Sequence, residues 1–85
     1  MRGYSKIIDK TETIGVISGV DFNIDTKGLS CVIKVVGGSM GIKPHNTDNT
    51  HFLLDDGETI DICGKATLRF VSGSPSIYCL YYHLL

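Results

Sequence analysis

Charge of one sign is scarce in this 85-residue chain: eight Lys and Arg stand against nine Asp and Glu, the net charge is −1, and the two signs are interspersed. No basic stripe offers a phosphate-binding surface and no acidic tail imitates nucleic acid, so nucleic acid is not an expected partner. No run approaches the roughly 18–20 apolar residues of a membrane-spanning helix, and the opening residues lack the apolar core of a signal peptide. Neither a membrane nor a secretory route is expected, and the absence of an Asn-x-Ser/Thr sequon removes one further sign of secretion. Nowhere do apolar residues keep helical spacing for three turns, while ten glycines and abundant Val, Ile and Thr argue against helices. There is no linker, repeat or low-complexity tract. The expectation is one domain over residues 1–85, soluble and made in a cytoplasm.

Cysteine is present but in the wrong pattern for a disulfide frame. Cys31, Cys63 and Cys79 are odd in number, widely spaced and set in apolar strand-like segments, which fits buried thiols. A single pairing such as Cys63 with Cys79 stays open. A chain of this length hides only roughly 60–65% of its unfolded surface, so its stability is marginal without help, and oligomerisation is the expected help.

Alternation with period two dominates what is there. Ile14, Val16, Val20, Phe22 and Ile24 oppose Gly15, Gly19, Asp21, Asn23 and Asp25, predicting one half-buried strand. Residues 25–28, with a glycine for positive φ, predict a hairpin into the β-branched run 29–36. Gly37-Gly38 breaks that run, 39–43 reads as a short strand, and 44–50 is a polar loop by composition. Residues 51–54 and 58–62 flank Asp55-Asp56-Gly57, another hairpin signal. Ala66, Leu68 and Phe70 alternate with Lys65, Thr67 and Arg69, and residues 72–75 predict a turn into a terminal strand. Residues 1–10 read as an edge strand or an arm. The expected fold is all-β, a small antiparallel β-sandwich or jelly-roll-like barrel of about seven to eight short strands.

Sequence motifs for chemistry fail in context. Residues 37–41 match G-x-S-x-G around Ser39, but Ile42-Lys43-Pro44 starts no long helix, so the match reads as a β-turn rather than a nucleophile elbow. His45, Asp48 and His51 offer imidazole and carboxylate without the four-ligand spacing of a structural zinc site and read as solvated loop residues. His83 reads as packed or hydrogen-bonded. Asp55, Asp56 and Glu58 lack the alternating oxygen ligands of a calcium loop and read as a turn. No catalytic residue, metal ligand or cofactor is expected.

The carboxyl-terminal stretch 76–85 carries apolar or aromatic residues in both phases: Ile77, Cys79, Tyr81 and His83 in one, Tyr78, Leu80, Tyr82 and Leu84 in the other. A strand so built needs cover on both faces. With Ile77, Cys79 and Tyr81 facing inward, Tyr78, Leu80, Tyr82 and Leu84 form the expected oligomer interface. Tyrosine also suits stacking against a sugar, but Tyr81 takes the face opposite to Tyr78 and Tyr82, so the three cannot line one groove.

Residues 52–83 combine Phe52 to Ile62 around an Asp-Gly-Glu turn, Lys65 to Val71, a Gly-Ser-Pro turn and the aliphatic-aromatic end Ile77 to His83. This order resembles small β-sandwich structural proteins of tailed-phage virions and prophages. The resemblance implies a non-enzymatic component of a head, collar or tail, partnered by itself and by other virion proteins and located in the virion after assembly in the host cytoplasm. The alternative expectation is a small carbohydrate-binding or adhesin-like β-sandwich using loop 44–50 and a tyrosine, with a glycan as its partner.

Overall fold

The computed structural model describes residues 5–44 and 51–84. Four strands appear among them: β1 (Lys6–Gly15), β2 (Phe22–Pro44), β3 (Phe52–Leu54) and β4 (Thr59–Leu84). All pairings are antiparallel, in the order β1-β4-β2-β3. The chain is therefore all-β, as its period-two patterning predicts, but β2 and β4 run 23 and 26 residues where several short strands were expected.

The difference lies at the predicted turns. Residues 14–24 are not one strand: β1 ends at Gly15, and a tight turn follows in which the Val20 N–H donates to Ile17 O at 3.1 Å. An even number of residues separates the two strands, so the apolar phase survives the turn and mimics a single strand. Residues 25–28 and 72–75 bend their strands without reversing them, so neither closes a hairpin. At the first bend Lys27 takes φ 53°, its N–H donates to Asp25 Oδ1 at 2.9 Å, and the buried Thr26 Oγ1 accepts the Gly64 N–H at 2.7 Å.

Residues 55–58 do turn, with the Glu58 N–H donating to Asp55 O at 3.0 Å, yet the two arms pair with different parts of β2. The Gly57 N–H donates to Val35 O at 2.7 Å and the Val35 N–H to Glu58 O at 3.1 Å, so the turn docks on β2 and sends β3 and the start of β4 to opposite stretches of that strand.

The two long strands wind about one another. Residues 30–34 of β2 lie between 59–63 and 78–82 of β4, while Ala66, Thr67 and Leu68 of β4 lie between 22–24 and 42–44 of β2. The bends also set burial. Along β2 the buried positions that alternate are Ile24 and Thr26, then Cys31, Ile33 and Val35, then Met40 and Ile42, with Gly41 buried between them; along β4 they are Ala66 and Leu68, then Pro75, Ile77, Cys79 and Tyr81, with Tyr82 buried out of phase. Parity changes between Thr26 and Cys31, between Val35 and Met40, and between Leu68 and Ile77, each time across a stretch where the ladder's register shifts, so that the next arm's apolar set returns to the inside. Ile33, Ile42, Leu68 and Ile77 are fully buried, each worth about 1.5–3 kcal/mol of transfer free energy.

At the bend near residue 73 the chains touch at glycines. Gly37 has φ 90° and Gly73 φ 78°, and a Cβ on Gly73 would lie 2.8 Å from both Gly37 O and Gly38 Cα. Only glycine fits that crossing without displacement.

Candidate functional site

Four strand segments lie side by side where both ends of β4 flank β2 and β1 flanks the carboxyl-terminal end of β4. Register places Thr11, Leu80, Val32 and Asp61 in one row across them, and Thr13, Tyr78, Lys34 and Thr59 in the next. All belong to the phase opposite the buried Ile33, Ile77 and Cys79, so they form the outer face of this layer. Leu80 and Val32 are half-buried at its centre, Tyr78 is 47% exposed, and a shallow groove of about 360 Å³ runs between them and the threonines.

Tyr82 belongs to the same phase, yet it is 5% exposed within a single chain. Lys6 Nζ sits 4.6 Å from its ring centroid, and its hydroxyl donates to Asp61 Oδ2 at 2.6 Å. That hydrogen bond, which the neutral phenol donates, pushes its pKa up, with desolvation adding to the effect. Tyr82, expected at the interface, is thus already largely covered within a single chain. Leu84 is 52% exposed at the end of β4, and Tyr78 and Leu80 lie on the open face.

The inner phase brings together Cys31, Cys79 and Tyr81. Cys31 lies opposite Tyr81 and Ile33 opposite Cys79, which makes the two thiols diagonal neighbours. Burial pushes the Cys79 thiol up to about 12, the neighbouring Cys31 adding to the rise, and burial likewise raises Cys31. Tyr81 is raised by burial and then by the two thiols; its hydroxyl donates to Glu12 Oε1 at 3.2 Å, and Lys10 Nζ lies 4.7 Å from its ring centroid. All three cysteines are free, and Cys63 is exposed because it falls on the outer phase of β4, a correction to the expectation of three buried thiols.

Ser39 lies in extended β2 opposite Ser72, and its hydroxyl donates to Asp55 Oδ1 at 3.2 Å. The G-x-S-x-G match is a strand segment, and not the turn expected from its composition. Asp56 Oδ1 accepts the Gly37 N–H at 2.9 Å and Glu58 Oε1 the Asp55 N–H at 2.8 Å, so the acidic turn serves backbone donors. His83 Nδ1 lies 2.9 Å from Asp9 Oδ2 on the surface. His45 and Asp48, and all of the 44–50 loop beyond the end of β2, lie outside the described residues. Among the described residues no group of three or more His, Cys, Asp or Glu gathers as for a metal, and no helix is long and apolar enough to cross a membrane, which leaves membrane-crossing strands unaddressed.

Sequence reasoning missed Val32, Lys34, Thr11 and Thr13 as companions of Tyr78 and Leu80. Their only signal is register across three strands, which a one-dimensional pattern does not carry.

No family model matches the chain, and no curated protein does. Among solved structures it is similar to a de novo designed double-stranded β-helix determined by solution NMR, with a TM-score of 0.67 and 16% identity over 88% of this chain and 100% of that one. It is also similar to a targeted domain of a protein of unknown function from Vibrio parahaemolyticus, with a TM-score of 0.64 and 13% identity over 93% and 98% of the two chains. At these identities the likeness is one of fold.

Proposed function

We propose that the chain is a non-enzymatic structural or interaction protein that self-associates through the outer face bearing Tyr78, Leu80 and Val32. The observation that carries this reading is the half-buried pair Leu80 and Val32 at the centre of an otherwise open sheet face, beside an exposed Tyr78. Apolar centres with polar rims are the usual anatomy of association surfaces. The face is also complementary to itself: a two-fold axis along the strands between β4 and β2 sets Leu80 on the partner's Val32 and Lys34 over the partner's Tyr78 ring. Leu84 extends the patch at its end. The proposed architecture is a small β-sandwich or jelly-roll-like barrel of about seven to eight short strands, a reading supported by the bends that divide β2 and β4 into shorter arms, and the proposed assembly is a tailed-phage virion, whose small structural proteins the sequence resembles.

Leu80→Asp tests the association. A charge placed unpaired in an apolar interface costs several kcal/mol, so light scattering should give the variant a smaller mass than the wild type, with an unchanged circular dichroism spectrum. A wild-type protein that stays monomeric at high concentration overturns the reading. The second reading, a glycan site, is favoured by the hydroxyls of Thr11, Thr13 and Thr59 around the Tyr78 groove. Glycan-array binding that is lost in Tyr78→Ala would replace the first reading by the second.

A further inference from the structure

We propose that β1 pairs antiparallel with β1 of a second copy, about a two-fold axis at Thr11, so that the sheet continues from one subunit into the next. The inference rests on the self-association reading for its class of function, but it uses a different surface, the edge of the sheet rather than its face.

β1 pairs with β4 on one side and with no other strand among the described residues, so along ten residues its outer edge presents unpaired N–H and C=O groups. Nine of those ten residues are exposed and Ile14 is half-buried. Natural edges are commonly blunted by charge of one sign, which repels a second copy. Here the charges nearest the middle are of opposite sign and flank one residue, Lys10 before Thr11 and Glu12 after it.

The bulge makes the strand symmetric. Ile8 lies opposite Tyr82 and Lys10 opposite Tyr81, so Asp9 is the extra residue and stands outside the ladder. Ten residues less Asp9 leave nine, and Thr11 is the fifth. Full overlap of two such strands therefore centres on Thr11. It sets Lys10 opposite the partner's Glu12 on one side of the sheet, and Ile8 opposite the partner's Thr13 on the other. Next come Ile7 and the partner's Ile14, both on the inner side, where Ile7 is 38% exposed and lacks full cover in the single chain. Every pair joins residues of the same phase, which antiparallel pairing requires.

Tyr81 holds the charged pair ready. Lys10 lies over its ring at 4.7 Å and Glu12 accepts its hydroxyl at 3.2 Å, so both side chains are ordered at the edge before a partner arrives.

The test uses Leu80→Asp throughout, which removes the face contact, and reads mass by sedimentation velocity with circular dichroism as the fold check. Leu80→Asp alone should remain a dimer. Adding Lys10→Glu or Glu12→Lys should weaken that dimer at least tenfold, the double exchange Lys10→Glu with Glu12→Lys should restore it, and an equimolar mixture of the two single exchanges should form a mixed dimer. Because both residues touch Tyr81, Thr11→Asp gives an independent arm: it sets like charges against each other on the axis and should also dissociate the dimer. A Leu80→Asp protein that is monomeric while the wild type is larger overturns edge pairing and leaves the face reading standing. A dimer indifferent to all of these charge changes overturns it as well. A wild type no larger than its Leu80→Asp dimer, dissociated by Lys10→Glu, supports edge pairing and removes the face reading.

Discussion

Cys79 keeps its proton to about pH 12, where an exposed thiol loses it near 9.0, because burial beside Cys31 disfavours a thiolate. The consequence for stability has a definite sign. Below pH 9 both folded and unfolded chains hold this proton and the term is constant; between about 9 and about 12 the unfolded chain binds fewer protons, so stability falls as pH rises, by up to about 1.4 kcal/mol per pH unit for the group. Cys31 and Tyr81, also raised, steepen the fall. The urea midpoint of the wild type should therefore drop across this window, and that of Cys79→Val should drop less, because the substitution removes one titrating group while keeping the site apolar. An equal slope in the two proteins would mean that Cys79 is not held protonated by the fold.

At the scale of elements, the bends decide the architecture, and they are where the sequence misleads. Gly37-Gly38, Gly73 and Lys27-Gly28 look like reversals because glycine and positive φ signal turns, yet each lies inside a strand whose arms pair with β4 or β2 again further along. Local composition says that the chain must bend and not by how much. Non-local pairing settles that. What local pattern does reveal is phase: Ala66 and Leu68, like Ile77, Cys79 and Tyr81, are buried where alternation puts them, since period two needs no knowledge of the partner strand. The members of the outer face came from the same alternation only for β4, and Tyr82 departed from it because Lys6 and Asp61, remote in sequence, cover it. Gly73→Ala tests the bend. Its Cβ would meet the backbone of Gly37 and Gly38 at 2.8 Å with φ at 78°, so the variant should lose about 2 kcal/mol or more in urea unfolding. A loss below about 0.5 kcal/mol, the ordinary range for surface changes, would mean that the crossing is looser than this geometry.

For the whole molecule, the long edge β1 and the outer face beside it put exposed backbone groups and apolar surface next to one another. A small chain buries too little of its surface to be strongly stable alone, so the association proposed above should appear in its unfolding. Partner binding that occurs only in the folded state raises apparent stability with concentration. For two-state unfolding of a dimer to separate chains, a tenfold rise in concentration adds roughly 0.7 kcal/mol per protomer, which for a domain of this size is about 3–5 °C in Tm. The wild type should show that dependence in calorimetry. Leu80→Asp with Thr11→Asp, which opposes both the face and the edge, should unfold at one temperature whatever its concentration. A wild-type Tm that does not move with concentration would show that one chain holds this fold unaided, with its outer face and β1 edge left to solvent.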